Sequence, residues 1–310
     1  MHPAFSVIFF TTLSGLGYGI WIWTSVMLLS IRSADSAAMH LALMFAAAVP
    51  VVAGLLSSTL HLGQPLRSWR AFSQWRTSWL SREGLLAVAC FLPWLAIAST
   101  AVFGADSLGF LEPWLLALLA LGSLATVYCT AMIYASLKPI PAWQHRVVAP
   151  AYFGFALLTG GLACMAATYR TDSPAELRVL LLLLLAVALA VAKRRYWRDI
   201  DRGDLPVARD SALGLAPGRV ATVFERPHTE ANYLTTEMGF VLARRHSLKL
   251  RRIALALFAG VPVLACVLAL MLPGLGTAAF AVAAACALLG AIVERWLFFA
   301  EARHLVTLYY

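Results

Sequence analysis

The chain has 310 residues, 61% of them apolar and 13% charged, with a mean hydropathy of +0.80. Soluble domains average about 45–50% apolar and about 25% charged, so this composition excludes both an ordinary soluble domain and a disordered chain. The net charge is +9. In so apolar a chain that excess speaks to membrane topology and protein partners, and no nucleic acid is expected as a ligand.

Apolar runs that reach or approach the ~20 residues needed to cross a bilayer lie at 5–31, 39–60, 84–104, 111–137, 148–169, 177–192, 252–272 and 277–299. They are continuous rather than alternating, which favours helices over a closed barrel. The predicted fold is therefore an all-α integral membrane protein, an eight-transmembrane-helix bundle with one long cytoplasmic loop. The first run is too long for a signal-peptide core and lacks a basic leader, so it reads as a retained span. The sixth is short. Arg178 can snorkel there, and Tyr196 and Trp197 can sit at the interface.

Basic residues crowd the loops 61–83, 138–147 and 193–252 and the C-terminal tail, whereas the opposite side holds only Arg32, Arg170 and Arg178. The positive-inside rule then puts both termini in the cytoplasm of a multi-pass protein of a bacterial inner membrane. Three segments follow: helices one to six over 1–192, a basic loop over 193–251, and the last two helices with the tail over 252–310. The loop either lies on anionic lipid or docks a cytoplasmic protein partner. Its length favours docking, with Arg194, Arg195, His228, Tyr233, Arg244 and Arg245 as the docking residues. Segment 228–246 has helical periodicity.

Cys90, Cys129, Cys164, Cys266 and Cys286 each stand alone in an apolar run, so no iron–sulfur cluster and no other metal is expected on this chain. The seven histidines fall in loops or at span ends, which argues against a haem held within the bilayer. No charged residue lies at the middle of a run, which weakens a transporter reading.

The informative constellation sits where the second run ends and the third begins. His61 and Glu83 face the same membrane border from opposite ends of one loop. Between them Trp69, Phe72, Trp75 and Trp79 alternate with Arg67, Arg70, Arg76 and Arg82. That pattern reads as an amphipathic segment in the headgroup plane, roofing a pocket open to lipid. A quinone suits such a pocket: its tail stays in hydrocarbon while a histidine and a carboxylate supply hydrogen bonds and protons. The plainer reading is an interfacial histidine and a helix-starting glutamate that complements the dipole.

These residues resemble the membrane anchor subunits of the dimethyl sulfoxide reductase family, within the molybdopterin oxidoreductases. The pattern S-x-L-H-L-G-x-P-x-R stands at Ser58, Leu60, His61, Leu62, Gly63, Pro65 and Arg67, followed by L-S-x-E at Leu80, Ser81 and Glu83. A second pattern runs through Tyr134, Ser136, Leu137, Ile140, Pro141 and Trp143, and a third through Pro150, Phe153, Gly160 and Gly161. The opening MHPAFSVIFFTTLSG and the stretch ERPHTEANYLTTEMGF are similar to the sulfite-oxidising branch, the anchors of membrane-bound sulfite:quinone oxidoreductases. The resemblance implies a subunit that binds ubiquinone or menaquinone and carries no haem, cluster or metal. It implies two partners on the cytoplasmic face: a four-cluster, ferredoxin-like iron–sulfur subunit and a molybdopterin catalytic subunit. It assigns quinone binding to His61, Glu83, Arg67 and Tyr134, and proton transfer to Glu83 and His61. Tyr134 reads equally well as an interfacial tyrosine. The rival readings are a quinol-oxidising reductase anchor, a solute transporter and a purely structural tether.

Overall fold

The computed structural model describes residues 4–30, 34–60, 62–171, 175–203, 207–216, 218–222, 224–225 and 242–308. All regular structure among them is helical. The helices are α1 (Phe5–Ser30), α2 (Ala34–Ala46), α3 (Ala48–Thr59), α4 (Trp79–Ala89), α5 (Phe91–Phe103), α6 (Glu112–Ala135), α7 (Val148–Thr168), α8 (Glu176–Arg202), α9 (Arg209–Ala212), α10 (Leu242–Leu255), α11 (Val261–Met271) and α12 (Gly276–Ala300).

Seven helical stretches among the described residues are long and apolar enough to cross a membrane. They correspond to the first five and the last two of the runs read from sequence. The sixth run lies in α8, whose apolar core is flanked by Glu176, Arg178, Lys193, Arg194 and Arg195.

Prolines set the internal breaks. A proline has no N–H to give the carbonyl four residues back, and its ring crowds that carbonyl. Pro50 ends α2 at Ala46, and Pro93 ends α4 at Ala89. Before Pro262 the chain takes a π turn over Ala256–Gly260, which joins α10 to α11. Trp21 and Trp94 both donate to the carbonyl of Met44, at 2.9 and 3.0 Å. Without water in the hydrocarbon, backbone groups near such breaks must find protein partners.

Helix α1 is the hub, packed against α3, α6 and α7. Small residues let it approach closely, as in membrane helix pairs generally. A Cβ on Gly19 would fall 1.9 Å from the Ala156 carbonyl oxygen, and one on Gly160 only 2.3 Å from the Gly19 carbonyl carbon. On the other side, a Cβ on Gly54 would fall 2.7 Å from the Ser14 amide nitrogen. Helix α12 packs on α7, α10 and α11, and α8 packs on α7 and α11.

The loop after the sixth run begins later and ends earlier than its sequence suggests. Residues 193–202 continue α8, and α10 is already helical from Leu242. The sequence reads 193–251 as a basic loop, with Tyr196 and Trp197 at the interface, but Lys193, Tyr196 and Trp197 turn inward on α8 and are buried. His228, Tyr233 and most of segment 228–246 lie outside the described residues.

Candidate functional site

The loop joining α3 to α4 folds as a 3-10 segment, Pro65–Gln74. Leu66, Trp69, Phe72 and Trp75 are exposed along it, as an amphipathic segment in an interface requires. Ser78 caps α4, its hydroxyl accepting from the Ser81 amide at 3.4 Å. Ser81 donates from its hydroxyl to the Ala71 carbonyl at 2.5 Å, tying the segment to the helix. Arg82 lies over the Trp79 ring at 4.4 Å and donates to the Trp75 and Arg76 carbonyls at 2.9 and 2.6 Å. Phe72 covers Gly84, whose Cβ would sit 3.0 Å from the ring.

Behind this cover Glu83 is 4% exposed, and its Oε1 has no hydrogen-bond partner among the described residues. A buried, unsatisfied carboxyl oxygen is costly and therefore points to a role beyond packing. The carboxyl interacts electrostatically with Tyr18, Cys129 and Tyr134. Trp79, one turn before Glu83 on α4, meets Tyr128 edge-on at 5.8 Å, and Tyr128 stacks on Phe153 at 6.4 Å.

The structure brings some of the predicted site residues together. Glu83 and Tyr134 share one electrostatic neighbourhood. Tyr134 is buried in an aromatic box of Trp143, Tyr152, Phe298 and Phe299, with ring centroids 5.2 to 6.0 Å away. Trp143 Nε1 donates to the Phe298 carbonyl at 3.0 Å, so the second sequence pattern locks the α6–α7 turn onto α12. Arg67 is exposed in the first turn of the 3-10 segment. His61 lies outside the described residues. Arg194 and Arg195 are exposed on α8, and Arg244 and Arg245 stand in the first turn of α10.

Sequence reasoning missed a second group of buried polar residues. Lys193 of α8 pairs with Glu294 of α12, both side chains 2% exposed. The Lys193 ammonium lies 3.9 Å from the Tyr196 ring centroid. Arg295, next in sequence to Glu294, lies 3.7 Å over the ring of Tyr152. The apolar runs thus do contain buried charge, one to two turns from the basic-loop end of the bundle. Two adjacent ionisable residues inside the run 277–299 were the readable signal. Nearer that end, Arg251 donates to both oxygens of Asp201, at 2.5 and 2.9 Å, and to Glu301 at 2.8 Å. Burial pushes the Glu301 carboxyl above its ordinary range, and Arg251 draws it back. These groups line a pocket of about 380 Å³ with His145 and Asp199. His145 Nδ1 accepts from the Val147 amide at 3.2 Å, so its Nε2 carries the hydrogen toward Asp199, 3.3 Å away.

The chain is 31% identical to a sulfite dehydrogenase subunit of Allochromatium vinosum over 343 aligned positions, covering 100% of this chain and 99% of that protein. No solved structure matches. Seven membrane-length apolar helices make the chain a multi-pass membrane protein. The match over residues 1–300 settles its kinship: the chain belongs to the DMSO reductase anchor subunit family, DmsC.

Proposed function

We propose that this chain is the quinone-reactive membrane anchor of a molybdopterin and iron–sulfur oxidoreductase, serving the oxidation of sulfite. The observation that carries the reading is Glu83: a buried carboxyl with one oxygen that has no hydrogen-bond partner among the described residues, under an amphipathic aromatic cover, at the membrane border where the S-x-L-H-L-G and L-S-x-E patterns meet. The sulfite branch is supported by the full-length likeness to a sulfite dehydrogenase subunit. In this reading α8 is the eighth span, which returns both termini to the basic, cytoplasmic side of a bacterial inner membrane. The iron–sulfur and catalytic subunits dock on that side.

The residues present fit a quinone. Trp79, Phe72 and Tyr128 offer apolar faces to an isoprenoid tail, and Glu83 offers a polar group where the ring's oxygens need one. Phe72 over Gly84 is the cover through which the ring reaches Glu83. Bound there, a quinone supplies a two-electron, two-proton acceptor. Glu83 holds and exchanges the proton, and His61 donates a hydrogen bond. Tyr134 shapes the inner wall, and Arg67 orients the headgroup side. Proton uptake and sulfite oxidation share one side of the membrane, so turnover is electroneutral.

The test is binding. A quinone analogue should quench tryptophan fluorescence of the purified full chain, and Phe72→Ala should change its affinity. An analogue that binds wild type and Phe72→Ala equally, or neither, overturns this site.

A further inference from the structure

Glu83 is 4% exposed, so any proton it exchanges must pass through buried polar groups or internal water. Behind it, Tyr18 is 1% exposed, and its hydroxyl has no hydrogen-bond partner among the described residues. That tyrosine lines a cavity between α1, α6, α7 and α12. Thr11, Thr130, Thr159, Tyr152 and Arg295 also line it. The cavity measures about 20 Å³, room for a water molecule, and its lining supplies the polar partners a buried water needs.

The far wall of this cavity is the near wall of the next. Tyr152 and Arg295 also line a smaller space of about 10 Å³ that reaches Lys193, Tyr196 and Glu294. The Tyr152 hydroxyl, Arg295 Nε and Glu294 Oε2 are likewise buried without hydrogen-bond partners among the described residues. Beyond the ion pair, Lys193 interacts electrostatically with Glu301. Glu301 opens with Asp201 and Asp199 onto the larger pocket. Unpartnered buried polar atoms are rare in folded proteins and each calls for an explanation. Here Tyr152 and Arg295 line both cavities, Tyr18 opens onto the first and Glu294 onto the second.

We infer that Tyr18, Tyr152, Glu294 and water held between them form a proton relay that runs from Glu83 to the aqueous pocket at Asp199, Asp201 and Glu301. The relay rests on the reading of Glu83 given under Proposed function. Glu83 gives up its proton at the site and regains one through the relay. Two protons enter from bulk water for every two electrons the iron–sulfur partner delivers, and only O–H and N–H bonds form or break along the path. Arg295 and Lys193 are positioning residues: their fixed positive charges orient the water and hold the Glu294 carboxylate in line.

Two measurements test the relay. The first is radiolytic hydroxyl labelling of the isolated full chain in nanodiscs. Tyr18 and Tyr152 should label well above Trp21, which is 0% exposed and outside the cavity lining. Labelling no higher than that of Trp21 would show a dry interior and overturn the relay, whatever is true of quinone.

The second uses the assembled complex with Tyr152→Phe, which removes a hydroxyl that bonds to nothing else described. Proton uptake, followed with a pH dye, should slow about tenfold, with a larger solvent isotope effect and unchanged affinity for a quinone analogue. Wild-type uptake in that variant overturns the relay. Wild-type protein that binds no analogue overturns the underlying site and the relay's role in supplying it, while the labelling still reports the internal water.

Discussion

The Lys193 ammonium in α8 and the Glu294 carboxylate in α12 form an ion pair with both side chains 2% exposed. Each charge is compensated chiefly by the other; Arg295 also lies 3.9 Å from the Glu294 carboxylate, and the Tyr196 ring faces the ammonium. Removing one partner of such a pair strands the other, which costs about 3–5 kcal/mol, whereas replacing both with apolar groups is close to neutral. Lys193→Met should therefore destabilise the protein strongly, and Lys193→Met with Glu294→Met should recover most of the loss. Thermal unfolding in detergent, read by size-exclusion fluorescence, measures both. A double variant as unstable as the single would show that the ammonium acts through its contacts with Tyr196 and Trp197 instead.

The tight crossing of α1 and α7 gives the second prediction. A Cβ on Gly160 would lie 2.3 Å from the Gly19 backbone, where no side-chain rotation can relieve it. Gly160→Ala should force the helices apart and cost at least the ~1–3 kcal/mol typical of overpacking. Gly63→Ala serves as the control, because nothing lies within 4 Å of its Cβ position. Equal melting temperatures for the two variants would contradict the crossing.

Much of this molecule was legible in its sequence, and the parts that were not share a cause. Seven of the eight apolar runs coincide with helical stretches among the described residues that are long and apolar enough to cross a membrane, because a bilayer imposes length on any helix that crosses it. The amphipathic segment was readable from the alternation of Trp69, Phe72 and Trp75 with arginines, and the structure leaves those rings exposed. Gly160 and Gly161 stood in a weak pattern whose meaning needed coordinates. Gly160 meets the α1 backbone, and a Cβ on Gly161 would lie 2.7 Å from Trp23 Nε1. The inner polar group was missed because hydropathy scores each residue alone. Lys193 looks like a loop lysine until Glu294, about a hundred residues away in sequence, is placed beside it. Tyr18 and Tyr152 look like ordinary apolar-run aromatics until their buried hydroxyls prove to have no hydrogen-bond partner among the described residues.

The C-terminal tail carries a pH prediction. His304 Nδ1 accepts from the Val306 amide at 3.0 Å, and burial holds the imidazole below its ordinary value of 6.5. Both favour the neutral ring. As pH falls through about 6.5 the unfolded tail takes up the proton first, so the folded turn loses stability until pH passes the lower folded value. Exchange of the Val306 amide, corrected for intrinsic rate, should accelerate in that window, and His304→Asn should flatten the profile. A wild-type profile already flat from neutral to mildly acidic pH would assign the turn to other contacts, such as the 2.8 Å bond from the Thr307 hydroxyl to the His304 carbonyl.

Glu83 gives the last and most direct prediction. Glu83→Gln keeps the shape and one carbonyl oxygen but cannot exchange a proton. Because the carboxyl is buried with one oxygen that has no hydrogen-bond partner among the described residues, its loss should leave thermal stability unchanged or raise it, unlike the loss of Lys193. If Glu83 is the proton-exchanging group, quinone-linked turnover of the complex should fall about 100-fold, within the usual range for a general acid–base. In the proposed sulfite-oxidising complex, dye-linked activity of the catalytic partner bypasses the membrane and should persist. His61→Ala should share the loss of quinone turnover, since a missing hydrogen bond to the ring weakens quinone binding and leaves the catalytic partner intact. A Glu83→Gln complex that reduces quinone at the wild-type rate would place the site elsewhere. A loss of dye-linked activity as well would mean that α4 and its cover are needed for assembly, so that the defect lies in docking rather than in proton exchange.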